Sequence, residues 1–138
     1  MGRMMVVLWV LLGLAVAAMA YVRLAPSDVA RWHRMPEVSG DKSFKSGVIR
    51  QIAAGPEGLA RLDAIIRDTP HTRVLAGSVD EGMITYVTRS RVMGFPDYTT
   101  VQKVNGTLEL HARSRFGRSD LGVNRARVEG WLGRLQAR

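Results

Sequence analysis

Residues 107–131 read TLELHARSRFGRSDLGVNRARVEGW and pass from one structural period to another. Leu108, Leu110, Ala112, Ser114 and Phe116 alternate with Thr107, Glu109, His111, Arg113 and Arg115, the period-two pattern of a strand with one apolar face. Residues 117–122 form a tight polar loop, and a basic amphipathic helix follows. Its stripe is expected from Leu121, Val128, Leu132 and Leu135, with Trp131 at the margin and Arg125, Arg127, Arg134 and Arg138 largely outside it. Asp120 or Asn124 is placed to cap it. A strand feeding a helix in this way sends its apolar face towards helices.

Working upstream, Asn105-Gly106 is the strongest hairpin signal in the chain, because both residues tolerate the positive φ of a type I′ turn. That turn fixes a register: Val104 opposite Thr107, Lys103 opposite Leu108, Val101 opposite Leu110 and Thr99 opposite Ala112. Residues 73–77 and 83–91 read as two earlier strands joined by the turn residues 78–82, and Gly94-Phe95-Pro96-Asp97 turns the chain into the strand at 98–104. Before them, Gly55-Pro56 opens a helix with Leu59, Leu62, Ile65 and Ile66 on one face. Thr69-Pro70 ends it. The expectation is an α+β domain, a two-layer sandwich of a four-strand antiparallel meander with two helices packed on one face. Residues 48–52 alternate and supply a possible fifth strand at an edge.

The N-terminus is different in kind. Residues 4–22, MMVVLWVLLGLAVAAMAYV, are nineteen residues without a charge, which at ~1.5 Å per residue matches a bilayer core. Arg3 and Arg23 flank the run, and Trp9 and Tyr21 suit its interfaces. Ala18-Met19-Ala20 also fits a signal-cleavage pattern, but the apolar run continues through it, which favours an uncleaved anchor. The chain therefore divides into an anchor or signal segment at 1–23, a connector at 24–47 and the α+β domain at 48–138. In the connector, Ser27 is placed to cap one helical turn, and residues 39–46 read as loop.

The 138 residues carry a net charge of +8 and no cysteine. Disulfide and thiolate chemistry are thereby excluded. Ten Lys or Arg against four acidic residues follow from Arg89 onward. Such a balance attracts polyanions in general; behind an anchor, anionic lipid headgroups or another envelope protein are more natural partners than nucleic acid.

Within that charge, Arg89-Ser90-Arg91 and Arg113-Ser114-Arg115 end the second and fourth strands of the meander. These run the same way, so both triplets reach one end of the sheet, roughly 10 Å apart. One reading is that Asp97 and Asp120 neutralise them and pin the loops. The other is an anion site of Arg89, Arg91, Arg113, Arg115 and Arg118, with Asp97, Asp120 and Asn124 beside it, since guanidinium forks suit carboxylates and phosphates. His33, His71 and His111 lack metal-site spacing, and no nucleophile elbow surrounds Ser114 or Ser119. No cofactor or metal is expected.

Two segments carry a family resemblance: Ser90-Arg91-Val92-Met93-Gly94-Phe95-Pro96-Asp97, and Ser114-Arg115-Phe116-Gly117-Arg118-Ser119-Asp120-Leu121-Gly122-Val123-Asn124-Arg125. They resemble the bacterial family called domain of unknown function 1499, with pattern SR-x-x-x-F-x-DD followed by SR-x-G-x-SD-x-G-x-N-x-x-R. The likeness extends from Val48 to the C-terminus. Tyr98 stands where the second acidic residue of the DD pair is common, and the cysteine-containing N-terminal motif of many members is absent. The resemblance implies a single domain, often behind a membrane or export segment, and no particular activity.

The function expected is a membrane-anchored cell-envelope domain, a non-enzymatic binding or scaffolding module with an anion-binding sheet end. It would sit in the plasma membrane as a single-pass protein with its C-terminal domain extracytoplasmic. The rival is a small hydrolase or isomerase using Asp97 and Asp120 as acid and base, with His111 as a further candidate.

Overall fold

A computed structural model describes residues 2–137. An apolar helix, α1 (Gly2–Leu24), is long and apolar enough to cross a membrane, and nearly all its side chains are exposed. One helical turn follows, α2 (Val29–Trp32), and then strands β1 (Lys42–Phe44) and β2 (Gly47–Ala53). Helix α3 (Gly58–Arg67) leads to the meander β3 (Thr72–Ser78), β4 (Met83–Arg89), β5 (Pro96–Val104) and β6 (Thr107–Ser114), and α4 (Val123–Ala137) closes the chain.

The sheet is antiparallel throughout, in the order β1-β2-β6-β5-β4-β3. It thus has six strands, not the four or five read from the pattern. The meander is as expected, and its register across Asn105-Gly106 pairs Val104 with Thr107, Val101 with Leu110 and Thr99 with Ala112. Asn105 and Gly106 both take positive φ, 48° and 80°, which is what the tight turn requires.

The extra pairing comes from the N-terminal side. The 48–52 segment is interior, between β1 and β6, because its apolar residues Val48 and Ile52 extend the buried row begun by Ala112 and Leu108. Residues 42–44, expected in a loop, pair with β2 instead. All three are exposed, so burial left no alternation in the sequence to betray them. Gly47 is required where β2 meets β6: a Cβ there would stand 2.2 Å from the Ala112 carbonyl oxygen.

Helices α3 and α4 both cover one face. Leu59, Leu62 and Ile66 of α3 and Val128, Trp131 and Leu135 of α4 meet Val48, Ile84, Tyr86, Val101, Leu108 and Leu110 from the sheet. Two details of α4 differ from the expected stripe. Trp131 lies in the core, its indole N–H donating to Thr69 Oγ1 at 2.8 Å, and Leu121 lies before the helix, 91% exposed. The stripe starts on Asn124, a polar residue that a hydrophobic pattern does not count.

The opposite face is roofed. Trp32 of α2 stacks on Tyr98 of β5 with ring centroids 4.0 Å apart, and Val87 and Leu75 complete a second apolar cluster. Asp28, not Ser27, caps α2, while Ser27 hydrogen-bonds the Tyr98 hydroxyl at 2.6 Å. His33 reaches Thr85 at 2.7 Å. The architecture is therefore a sheet with two helices on one side and the N-terminal connector on the other.

Candidate functional site

β4 and β6 flank β5 and point the same way, so the loops β4–β5 (residues 90–95) and β6–α4 (residues 115–122) emerge together. The β1–β2 turn joins them: Ser114 N–H donates to Ser46 O and Asp120 N–H to Lys45 O, each at 2.9 Å. This is also the end at which α1 meets the sheet, for Tyr21 packs edge-on against Phe116 at 6.0 Å.

The arginines gathered here do not pair with the carboxylates expected to neutralise them. Arg89 donates to Val22 O at 3.2 Å, on the last turn of α1, and to Gly94 O at 2.8 Å. Arg113 donates to Trp32 O, to Thr100 Oγ1 at 2.8 Å and to His111 O at 2.9 Å. Arg115 donates to Pro26 O at 2.9 Å and to the Tyr98 hydroxyl at 3.3 Å, with its guanidinium over the Phe116 ring. Three of the five predicted arginines thus grip main-chain carbonyls of the connector and helix, groups left over where a helix ends. Arg91 and Arg118 are exposed. Among the described residues no carboxylate lies within ion-pair distance of any of the five.

Asp97 and Asp120 are engaged elsewhere, on the helix side of the sheet. Asp97 forms an ion pair with Arg127 of α4 at 3.2 Å, both side chains mostly buried. Arg127 also donates to Asn124 Oδ1 at 3.2 Å, and fully buried Asn124 donates to Ser114 Oγ at 3.1 Å and Asp120 Oδ2 at 2.8 Å. Asp120 accepts the N–H groups of Gly122 and Asn124 at 2.8 and 3.1 Å and so caps α4. Asp97, Ser114, Asp120, Asn124 and Arg127 form one network that ties β5 and β6 to the start of the helix. The predicted residues therefore divide: Arg89, Arg113 and Arg115 hold the end of α1 and the connector, Asp97, Asp120 and Asn124 hold α4, and Arg91 and Arg118 stand exposed in the loops.

Arg127 was missed as a partner because it counted only as a charge outside the apolar stripe. Its place three residues after Asn124, on the same helix face, was the available signal. Trp32 and Tyr98 carried none, since nothing in the sequence pairs an aromatic in a connector with one in a strand.

Burial sets the electrostatics of the roofed face. It pushes the Arg113 guanidinium down to about 10, so the group is still protonated at neutral pH. Burial, with the Arg113 charge second, lowers His111 to about 4, so its imidazole is neutral there. Its Nδ1 is buried without a hydrogen-bond partner. A recess of about 440 Å³ lies beside it, rimmed by Arg31, Arg34, Arg113 and Trp32. No group of three or more His, Asp or Glu side chains that could hold a metal occurs among the described residues.

Fold and site together define an α+β domain behind an apolar helix, with an arginine-rich end where the two meet. The chain belongs to the family described as a protein of unknown function, DUF1499, whose model matches residues 27–135. The match begins at Ser27, the first connector residue bonded to the sheet by its side chain. No curated protein matches the chain.

Proposed function

We propose that this is a single-pass, membrane-anchored domain of the cell envelope that binds rather than catalyses, and that its sheet end receives anionic lipid headgroups. The domain would stand on the extracytoplasmic side of the plasma membrane with Arg91 and Arg118 at the headgroup level. The observation that carries this reading is the absence of any ion-paired carboxylate around the five arginines among the described residues, at the end where α1 leaves the domain. Arg89, Arg113 and Arg115 spend their donors on carbonyls and hydroxyls, which satisfy the hydrogen bonds without cancelling the charge. The field at this end is therefore positive, and an anionic surface is attracted to it at about 1 kcal/mol per exposed arginine.

Acid–base chemistry by Asp97 and Asp120 is the weaker reading. Asp97 is ion-paired with Arg127, and Asp120 is committed to the start of α4.

The test is sedimentation of residues 24–138 with vesicles of anionic or zwitterionic phospholipid, at low and high salt. Binding is expected to anionic vesicles, to weaken with salt, and to fall about tenfold or more in Arg91→Ala/Arg118→Ala. Indifference to both lipid charge and salt removes the headgroup reading and leaves another envelope protein as the partner to seek.

A further inference from the structure

The β4–β5 loop turns an apolar tip outward. Val92 is 72% exposed, Met93 40% and Phe95 36%. Water-facing loops of a small domain are usually polar, and consecutive exposed large apolar residues mark a contact surface. What they contact is set by where the loop lies. Met93 and Phe95 line an apolar groove of about 280 Å³ whose other wall is Ala15, Ala18, Met19 and Val22 of α1. Ala18 lies four residues before Val22, the end of the uncharged run, which is roughly 6 Å along the helix, and Ala15 is roughly 10 Å from it. A loop beside those residues is at the depth of the helix interior, not at its mouth.

Part of the loop's main chain is satisfied from within the protein. Ser90 N–H donates to Phe95 O at 3.0 Å, Gly94 N–H to Ser90 O at 3.1 Å, and Phe95 N–H to Ser90 Oγ at 2.9 Å. Arg89 covers Gly94 O, and Arg23 covers Val92 O. In water these groups need no internal partners; in hydrocarbon each unsatisfied one costs several kcal/mol, so irregular backbone survives there only when it is satisfied from within the protein. Gly94 permits the arrangement: its φ is +73°, and a Cβ would press on the Arg23 side chain at 3.0 Å. The chemistry around the tip is graded as an interface demands, with Arg23 and Arg91 at its base and Tyr21 and Phe116 beside them.

The geometry points to a second membrane attachment: the tip Val92-Met93-Gly94-Phe95 is inserted into the hydrocarbon layer alongside α1, with lipid acyl chains filling the groove between them. This rests on α1 spanning the bilayer, and it concerns acyl chains rather than headgroups. The chain has no cysteine, so single cysteines can be placed at will. Full-length Val92→Cys, Met93→Cys, Val10→Cys and Asp80→Cys proteins, labelled with an environment-sensitive fluorophore, are reconstituted into neutral phosphatidylcholine vesicles. Quenching is then measured with spin-labelled lipid and with aqueous iodide.

Probes at Val92 and Met93 are expected to be quenched by the lipid label within about twofold of the probe at Val10. They should also be shielded from iodide several-fold relative to Asp80, at the far end of the sheet. If they follow Asp80 while Val10 stays in lipid, the loop is outside the membrane and the inference falls with the anchor intact. If Val10 is itself open to iodide, α1 does not span and both readings fall. Val92 is 72% exposed, so its variant loses little packing and reports even where a label at Met93 disturbs the groove.

Discussion

The Arg113 guanidinium donates in three directions from beneath the connector, to Trp32 O, Thr100 Oγ1 and His111 O. Removing it would take a charged donor from all three acceptors on a largely buried face. Arg113→Met should cost about 2–3 kcal/mol in urea denaturation, and lysine, with a point charge in place of a fork, should recover only part of it. His111 beside it gives a pH signature. Its pKa is about 6.5 in the unfolded chain and about 4 in the fold, so between those values the unfolded chain binds the proton first. Stability is unaffected by this group above pH 6.5 and drains away as the pH falls from 6.5 to 4. Discounted for partial exposure, the loss attributable to it is about 2 kcal/mol. Unfolding midpoints at pH 7 and pH 4.5 should therefore differ by less in His111→Gln than in the parent protein.

At the scale of elements, what the sequence made legible follows from which forces leave a pattern. The β3–β6 meander and the Asn105-Gly106 register were readable because apolar residues alternate along the strands on the helix side and the turn chemistry is specific. Helix α3 was readable from a clean apolar stripe. Strand β1 was not, since every residue in it is exposed; at the start of α4 the Asp120 cap was legible, whereas the buried Asn124, held by Asp120, Ser114 and Arg127, has no place in an apolar pattern. The arginine end was legible as a gathering of charge. Its partners were not, because main-chain carbonyls carry no residue identity. Two substitutions probe these elements. Asp120→Ala should lower the melting free energy by about 1–2 kcal/mol through the lost cap, with fraying confined to the first turn of α4 in hydrogen exchange. Gly47→Ala would drive a Cβ to 2.2 Å from Ala112 O and should separate β2 from β6, seen as rapid exchange of the Ala112 and Leu110 amides, which face β2.

For the molecule as a whole, Trp32 holds the roof on. Its stacking on Tyr98 buries an indole that is only 7% exposed, so Trp32→Ala should cost about 3–5 kcal/mol. It should also open Arg31 and Arg34 to trypsin faster than any site in the helix layer, an outcome that separates detachment of the connector from global unfolding. The bond from Arg89 to Val22 O has a further mechanical meaning. A flexible tether would let the domain swivel relative to α1, but here the last turn of the helix is fastened to a sheet strand and wedged against Phe116 and the 90–95 loop. Helix and sheet are joined as a crank to its shaft: a partner that turns α1 about its own axis is expected to pass that torque to the sheet through these contacts.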